Sequence, residues 1–431
     1  MKRILFALAA FAASQFALAG VNIQHWVSPS GARVYFVESP TLPILDVQVD
    51  FAAGSMFDPA GKSGVAALTR GILDLGAGNL DENVIADKLA DIGAHLGGSA
   101  DTDRANVNLR TLSALDKREP ALDLLRTVLT APKFDPAIFQ REKTRTIATL
   151  KESLTRPDTI AGKAFWEAAY PTHPYGRQSE PATVAKIGRD DVLNFYRTYY
   201  TAQNAQVTLV GNISRAEAEK IAESLVGKLP KGEAPTLPPA PELPKASVQH
   251  IAHPAAQSHI YVGLPAIARG DPDFFPLVVG NYSLGGGGFV SRLMKEVRDK
   301  RGYAYSVYSY FAPLKQPGPF QIGLQTKRSQ AEEALKLSRA ILEKFVKEGP
   351  TDEELAAAKA NLIGSFPLRL DSNKKILENV ANIGFYNLPL DYLDRYQEKV
   401  QAVTADDIRQ AFARRIQPNH LVTVVVAADK P

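Results

Sequence analysis

Two hydrophobic periodicities alternate along this chain, and the alternation runs twice. Apolar residues run or alternate with period two over Arg33 to Val37, Ile44 to Phe51 and Arg104 to Leu112, the spacing that places one face of a strand on a core. Val65 to Leu75 and Ala86 to Ile92 carry helical spacing instead, as do Ala121 to Thr130 and Pro136 to Ser153, and Gln206 to Val210 closes the set as a strand. The succession then restarts. Ser258 to Val262 reads as a strand, Phe274 to Tyr282 and Gly288 to Val297 as helices, and Tyr303 to Phe311 and Phe320 to Leu324 as strands. Gln330 to Val346, Asp352 to Phe366 and Asn373 to Ile383 follow as helices before a last strand at Leu421 to Ala427. Strands grouped with layers of helices predict an α+β unit, a mixed sheet with helices on it, used twice.

The boundary between the two units is marked by proline. Pro230, Pro235, Pro238, Pro239, Pro241 and Pro244 lie within one short stretch, which excludes helix and ladder and predicts a semi-rigid extended linker over 230–246. The halves on either side, 20–229 and 247–431, resemble each other in sequence. Ala121 to Leu129 matches Ala334 to Leu342 (334 − 121 = 213), and Asp190-Asp191-Val192 matches Asp406-Asp407-Ile408 (406 − 190 = 216). Val207 to Val210 matches Val422 to Val425 (422 − 207 = 215), so three pairs keep their order at nearly constant offset, as an internal duplication requires.

Composition narrows the functional classes. Lys2 and Arg3, an apolar run from Ile4 to Phe16 and the small-x-small triplet Ala17-Leu18-Ala19 read as a signal peptide over 1–19, which predicts export to the bacterial periplasm or beyond. The chain has no cysteine, hence neither a disulfide framework nor a lipid-attachment site. Its formal charge of +4 becomes +2 without Lys2 and Arg3 (4 − 2 = 2), a balance that points to no nucleic-acid partner. No later apolar run is long enough to predict membrane insertion after signal removal.

The candidate chemistry begins with a loss. Gly64 to Leu73 reads G-V-A-A-L-T-R-G-I-L. Two histidines at i and i+4 on one helix face can hold Zn²⁺ while a glutamate beside the second activates water. Here those positions are Ala67 and Gly71, with Arg70 in the glutamate's place. None binds zinc, and a cation at 70 would repel it. Together with S-G-V-A at Ser63 to Ala66, H-P-Y-G at His173 to Gly176, G-G-G-G at Gly285 to Gly288 and V-R-D-K-R-G-Y-A-Y-S-V-Y-S at Val297 to Ser309, the chain resembles the mitochondrial-processing-peptidase-like branch of the pitrilysin/insulinase metallopeptidases over essentially its whole mature length.

The resemblance implies a clam-shell-like pair of halves facing each other across a chamber. It also implies a role as the zinc-less subunit of a heterodimeric metallopeptidase, with no cofactor in this chain, Zn in a homologous partner subunit and unstructured peptides as ligands. The family's third ligand would fall near Ile147 to Lys151, where the nearest carboxylate is Glu152. Arg298 and Tyr305 match a family pair that contacts substrate beside the facing zinc; their donors suit a carbonyl or a developing oxyanion. From spacing alone, Arg298, Lys300 and Arg301 read as a solvated basic helix end and Tyr305 as a half-buried strand aromatic; the whole-chain resemblance reverses that reading.

Gly285, Gly286, Gly287 and Gly288 match a substrate-handling loop, and serve either flexibility or close backbone approach. No Lys-Ser/Thr follows them, which argues against a phosphate cradle. Arg104 to Leu112 holds the place of an edge strand that would pair with extended peptide, or is an ordinary sheet strand. His250, His253 and His259 contain an H-x-x-H spacing but no neighbouring carboxylate or cysteine, and His173 reads as a structural loop residue. The alternative to a peptidase subunit is a non-enzymatic peptide-binding or assembly protein of the same fold.

Overall fold

A computed structural model describes residues 20–427; the segment read as a signal peptide lies outside the described residues. Eleven strands form two mixed sheets. In chain order they are β1 (Gln24–Val27), β2 (Arg33–Glu38), β3 (Ile44–Phe51), β4 (His95–Gly97), β5 (Ala105–Leu112), β6 (Ala205–Gly211), β7 (Ser247–Ile251), β8 (Gln257–Ile267), β9 (Ala304–Phe311), β10 (Gly318–Lys327) and β11 (Val422–Val426). The first sheet runs β1-β2-β6-β3-β5-β4 and the second β9-β10-β8-β11-β7.

Read from opposite ends, the two sheets share one plan. β2 pairs parallel with β6 as β7 does with β11, and the remaining steps β6-β3-β5-β4 and β11-β8-β10-β9 are all antiparallel. A strand-for-strand match of order and direction is what the duplicated sequence predicts. One face of each sheet carries its own core. Val34, Phe36, Val47, Val49, Val207 and Leu209 do so in the first half, and Ile260, Val262, Leu264, Phe320, Ile322 and Val425 in the second.

The other faces are covered by exchange. Five helices matter here: α1 (Val65–Ile72), α2 (Pro136–Ser153), α3 (Pro157–Ala169), α4 (Phe274–Asn281) and α5 (Asn373–Phe385). α3 belongs to the first half in sequence, yet it packs on β8 and β11 of the second sheet, setting Ala161, Ala164 and Phe165 against Val422, Val424 and Val426. α5 does the converse on β6 and β3, with Leu377, Val380 and Ile383 beside Tyr35, Val37 and Val210. The two helices begin 216 residues apart (373 − 157 = 216), so they are each other's duplicates. The halves are therefore packed together through exchanged helices.

A polar joint sits where the halves meet. Buried Asp103 accepts hydrogen bonds from the Tyr175 hydroxyl (2.6 Å), the Tyr386 hydroxyl (3.0 Å) and the Lys315 backbone N–H (2.8 Å). The Tyr175 oxygen in turn accepts from Gln316 N–H at 3.0 Å, and His173 Nδ1 accepts from Tyr175 N–H at 3.2 Å. This is the structural work of the H-P-Y-G motif. The linker carries no helix or strand over 230–246 and is tied to both halves, through Thr201 to Gly232 O (2.9 Å) and Gln316 to Pro238 O (2.8 Å).

Candidate functional site

The helix that would carry zinc is well formed. Asp58 anchors its start from a distance, accepting Gly64 N–H and Ala66 N–H at 2.7 Å each, and thereby satisfies donors that the helix end leaves free. Gly64 has φ +113°, a left-handed entry that a side chain would strain. Ala67 and Gly71 lie on the outward face, and a methyl group at Gly71 would meet nothing within 4 Å. Arg70 is 4% exposed; its Nε donates to Asn106 O at 2.6 Å and Nη1 pairs with Asp74 at 3.3 Å. The guanidinium lies so close to Gly98 that a Cβ there would fall 2.6 Å from Nη2. The cation is thus used to pin α1 to β5, in the place where a hydrolytic carboxylate would stand. On α2, Ile147 and Leu150 pack against the core and Glu152 is exposed at the helix end.

Burial pushes Asp58 up to about 6 despite its two backbone donors. An acid whose folded-state value lies above its unfolded one keeps a proton the unfolded chain has lost, so its contribution to stability is present below about pH 4 and is lost as pH rises to about 6. Denaturant midpoints between pH 4 and 7 should therefore fall less steeply in Asp58→Asn than in the unaltered protein. Parallel profiles would show that Asp58 stays charged throughout.

β5 is not an edge. It pairs with β3 on one side and with β4 on the other, so the edge on this side of the sheet is His95–Gly97. The correction has a simple origin: the short strand before Gly98 turns back over Asn108–Arg110, and three residues give too weak an alternation to be read from sequence.

In the second half α4 continues into a π-helical turn, Tyr282–Gly286, of the kind often found at functional sites. The glycines serve close approach. Gly285 is buried and a Cβ there would lie 2.6 Å from Ser309 N, while Gly287 would press on Tyr282 and Gly286 on Asn281. Gly288, at φ +60°, makes the left-handed exit. Asn281 Nδ2 donates to Ser309 O at 3.0 Å and Ser309 Oγ donates to Asn281 Oδ1 at 2.6 Å, locking the turn to β9. The helix expected over Gly288 to Val297 is broken. A short 3₁₀ turn at Gly288–Val290 ends where Ser291 Oγ bonds Gly288 O, and a second π-helical segment runs Met294–Asp299.

Arg298 lies on this broken segment and Tyr305 on β9, which packs against it. Arg298 lies over the Phe289 ring at 4.9 Å and meets Asp299 at 3.5 Å, whereas Lys300 and Arg301 are both spent on Glu296. Tyr305 sits at an irregularity in β9, between Ala304 and Ser306, and is 77% exposed; its hydroxyl has no partner among the described residues. Phe289, 67% exposed, and its neighbour Val290 add an exposed apolar surface at Arg298. The sites form two groups in different halves: α1 packs on α2 and β5, and β9 on the turn after α4 and on Met294–Asp299. Of the histidines, His253 bonds backbone through both ring nitrogens, to Thr155 O and Ala255 N–H, and among the described residues no cluster of three or more His, Cys, Asp or Glu could hold a metal ion.

Comparison with known proteins bears on this arrangement. The sequence profile described as "Insulinase (Peptidase family M16)" matches residues 33–181, and that described as "Peptidase M16 inactive domain" matches 186–362. A solved structure, the peptidase M16 inactive domain from Pseudomonas fluorescens, is 38% identical with a TM-score of 0.91, over 95% of this chain and all of that one. The non-peptidase homolog YmxG of Helicobacter pylori is 26% identical over 94% of each chain. The mitochondrial-processing peptidase subunit beta of Blastocladiella emersonii is 23% identical over 99% of this chain and 93% of its own. The chain belongs to the insulinase (M16) peptidase family, as a member without the zinc ligands.

Proposed function

We propose that this chain is the exported, zinc-less subunit of a two-chain peptidase, working in the periplasm beside a homologous partner that holds zinc on an intact His-x-x-Glu-His helix. The observation that carries the reading is the contrast between the two groups. Ala67, Arg70 and Gly71 leave no ligand for a metal, while Tyr305 is exposed with a hydroxyl that has no partner among the described residues and Arg298 is held only by Asp299 and the Phe289 ring. Phe289, Val290 and the turn shaped by Gly285 to Gly288 give an unstructured peptide an apolar surface beside those donors. A relative named as a peptidase's subunit beta supports the pairing; one named as a non-peptidase homolog supports the second reading, a peptide-binding protein without catalysis.

Purified alone, the chain should take up no stoichiometric Zn²⁺ and cleave no unstructured peptide. Mixed with a zinc-bearing homologue from the same genome, it should form a heterodimer whose cleavage rate far exceeds that of the homologue alone. One tightly held Zn²⁺ per chain, or a homologue indifferent to this subunit, would overturn the proposal.

A further inference from the structure

The second half contains a cavity of about 420 Å³ that neither group of site residues touches. It lies between the start of α4, the turn 388–395 after α5, and the two short helices Tyr396–Ala402 and Ala405–Arg415. Phe274, Phe275, Tyr392 and Val403 make its wall aromatic and aliphatic. Such a wall with a few polar groups at its margin is the usual make-up of a small-molecule site.

The charges around it are unevenly spent. Asp271 accepts from Arg415 at 2.8 Å and from Asp273 N–H at 2.9 Å. Asp407 accepts the Thr404 N–H and hydroxyl at 2.8 and 2.7 Å, and Asp391 is 4.0 Å from Arg395, which also meets Glu398 at 3.5 Å. Arg269 has no such partner. Its guanidinium is held 5.7 Å from the Phe274 ring centre and 5.3 Å from that of Tyr386, its Nε is buried without a hydrogen bond, and no carboxylate pairs with it among the described residues. Lys399, exposed at the rim, is likewise unpaired among them. Asp407 has hydrogen bonds but no ion pair among the described residues, so the unpaired charge at this apolar cavity is two cations against one capping carboxylate, a surplus of one positive charge (2 − 1 = 1). A doubly charged phosphate would meet Asp271, Asp391 and Asp407, whereas a single carboxylate asks for no more than the two free cations supply.

We infer that this cavity binds an apolar group carrying a free carboxylate. A small organic acid and the carboxy-terminal residue of a peptide share that chemistry. The inference stands independently of the partner-subunit reading, because neither Arg298 nor Tyr305 lines the cavity.

Titration calorimetry on the chain from Gly20 onward tests it with 3-phenylpropanoate, acetyl-Gly-Gly-Phe and the amide of each. At least one acid should bind saturably, and its amide should bind about tenfold more weakly or worse, since a hydrogen bond to a charged group is worth more than a tenfold change in affinity. Binding by phenylpropanoate alone would assign a free acid; binding by the peptide acid would assign a chain terminus. Ala402→Trp, at an exposed position on the lining, should fill the cavity and abolish binding, and Lys399→Ala should weaken it several-fold, both with unchanged melting temperature. The inference fails if neither acid saturates, if acid and amide bind alike, or if the Ala402→Trp protein binds as the unaltered one does.

Discussion

Asp103→Ala should cost this protein about 3–5 kcal/mol, a loss far above that of an ordinary substitution. The side chain is buried and serves three donors at once: the phenols of Tyr175 and Tyr386 and the amide of Lys315. Removing it takes the acceptor from one buried and two partly buried donors, and each buried donor left unpaired costs about 1–3 kcal/mol. Some of that is regained by relaxation and by water entering the gap, which is why the total falls short of three full penalties. The partners come from both halves, Tyr175 from the first and Lys315 and Tyr386 from the second, so the loss should also loosen the joint. Urea denaturation should show a lower midpoint, and limited proteolysis faster cutting in the linker around Pro238, whose carbonyl is held by Gln316 beside the same joint. Asp103→Asn keeps one acceptor oxygen and should lose roughly half as much. A change below about 1 kcal/mol in the alanine variant would mean that water already carries these hydrogen bonds.

The sequence makes the duplicated α+β plan legible because the relevant signals are local. Ile44–Phe51 and Pro136–Ser153 have the boundaries their periodicity predicts, and the proline cluster marks a stretch without helix or strand. What the periodicity cannot hold is partnership. α5 is amphipathic whichever sheet it covers, and nothing in Leu377, Val380 or Ile383 says that they pack beside Tyr35 and Val210. The same limit hid Asp103, an isolated acid in a loop until Tyr175, Lys315 and Tyr386 are brought around it from 72, 212 and 283 residues away.

At the candidate site the split is similar. The absence of ligands at Ala67, Arg70 and Gly71 is plain in the sequence, but the use to which Arg70 is put depends on Gly98 and Asn106 lying against it. The glycine run left two explanations open, flexibility or close approach. Ser309 pressing on Gly285 selects the second. The break at Ser291 does not show in the sequence because Phe289 to Val297 keeps a helical spacing on both sides of it; the left-handed φ at Gly288 and the cap supplied by Ser291 override that spacing.

Catalysis in trans gives the largest expected effect. If Tyr305 and Arg298 face the zinc of a partner subunit, they act on a tetrahedral intermediate whose water and metal belong to another chain. Their removal should then reduce turnover while leaving assembly intact. Loss of one oxyanion donor costs on the order of 10² to 10³ in kcat. An exposed side chain with no such duty changes stability by less than about 0.5 kcal/mol and activity hardly at all. Tyr305 meets the structural condition for a clean test, since it is 77% exposed and its hydroxyl serves no bond among the described residues. Tyr305→Phe keeps the ring and deletes the hydroxyl alone. Arg298→Ala also removes the stacking on Phe289, so Arg298→Lys, which keeps the charge without the planar fork, separates the two contributions. Each variant, reconstituted with the zinc-bearing partner, should elute as a heterodimer and show a strongly lowered kcat. Lys300→Ala, whose charge is spent on Glu296 at 2.7 Å, should behave as the unaltered subunit. Full turnover in both Tyr305→Phe and Arg298→Ala would remove the pair from the chemistry and leave peptide binding without catalysis as the function this fold performs.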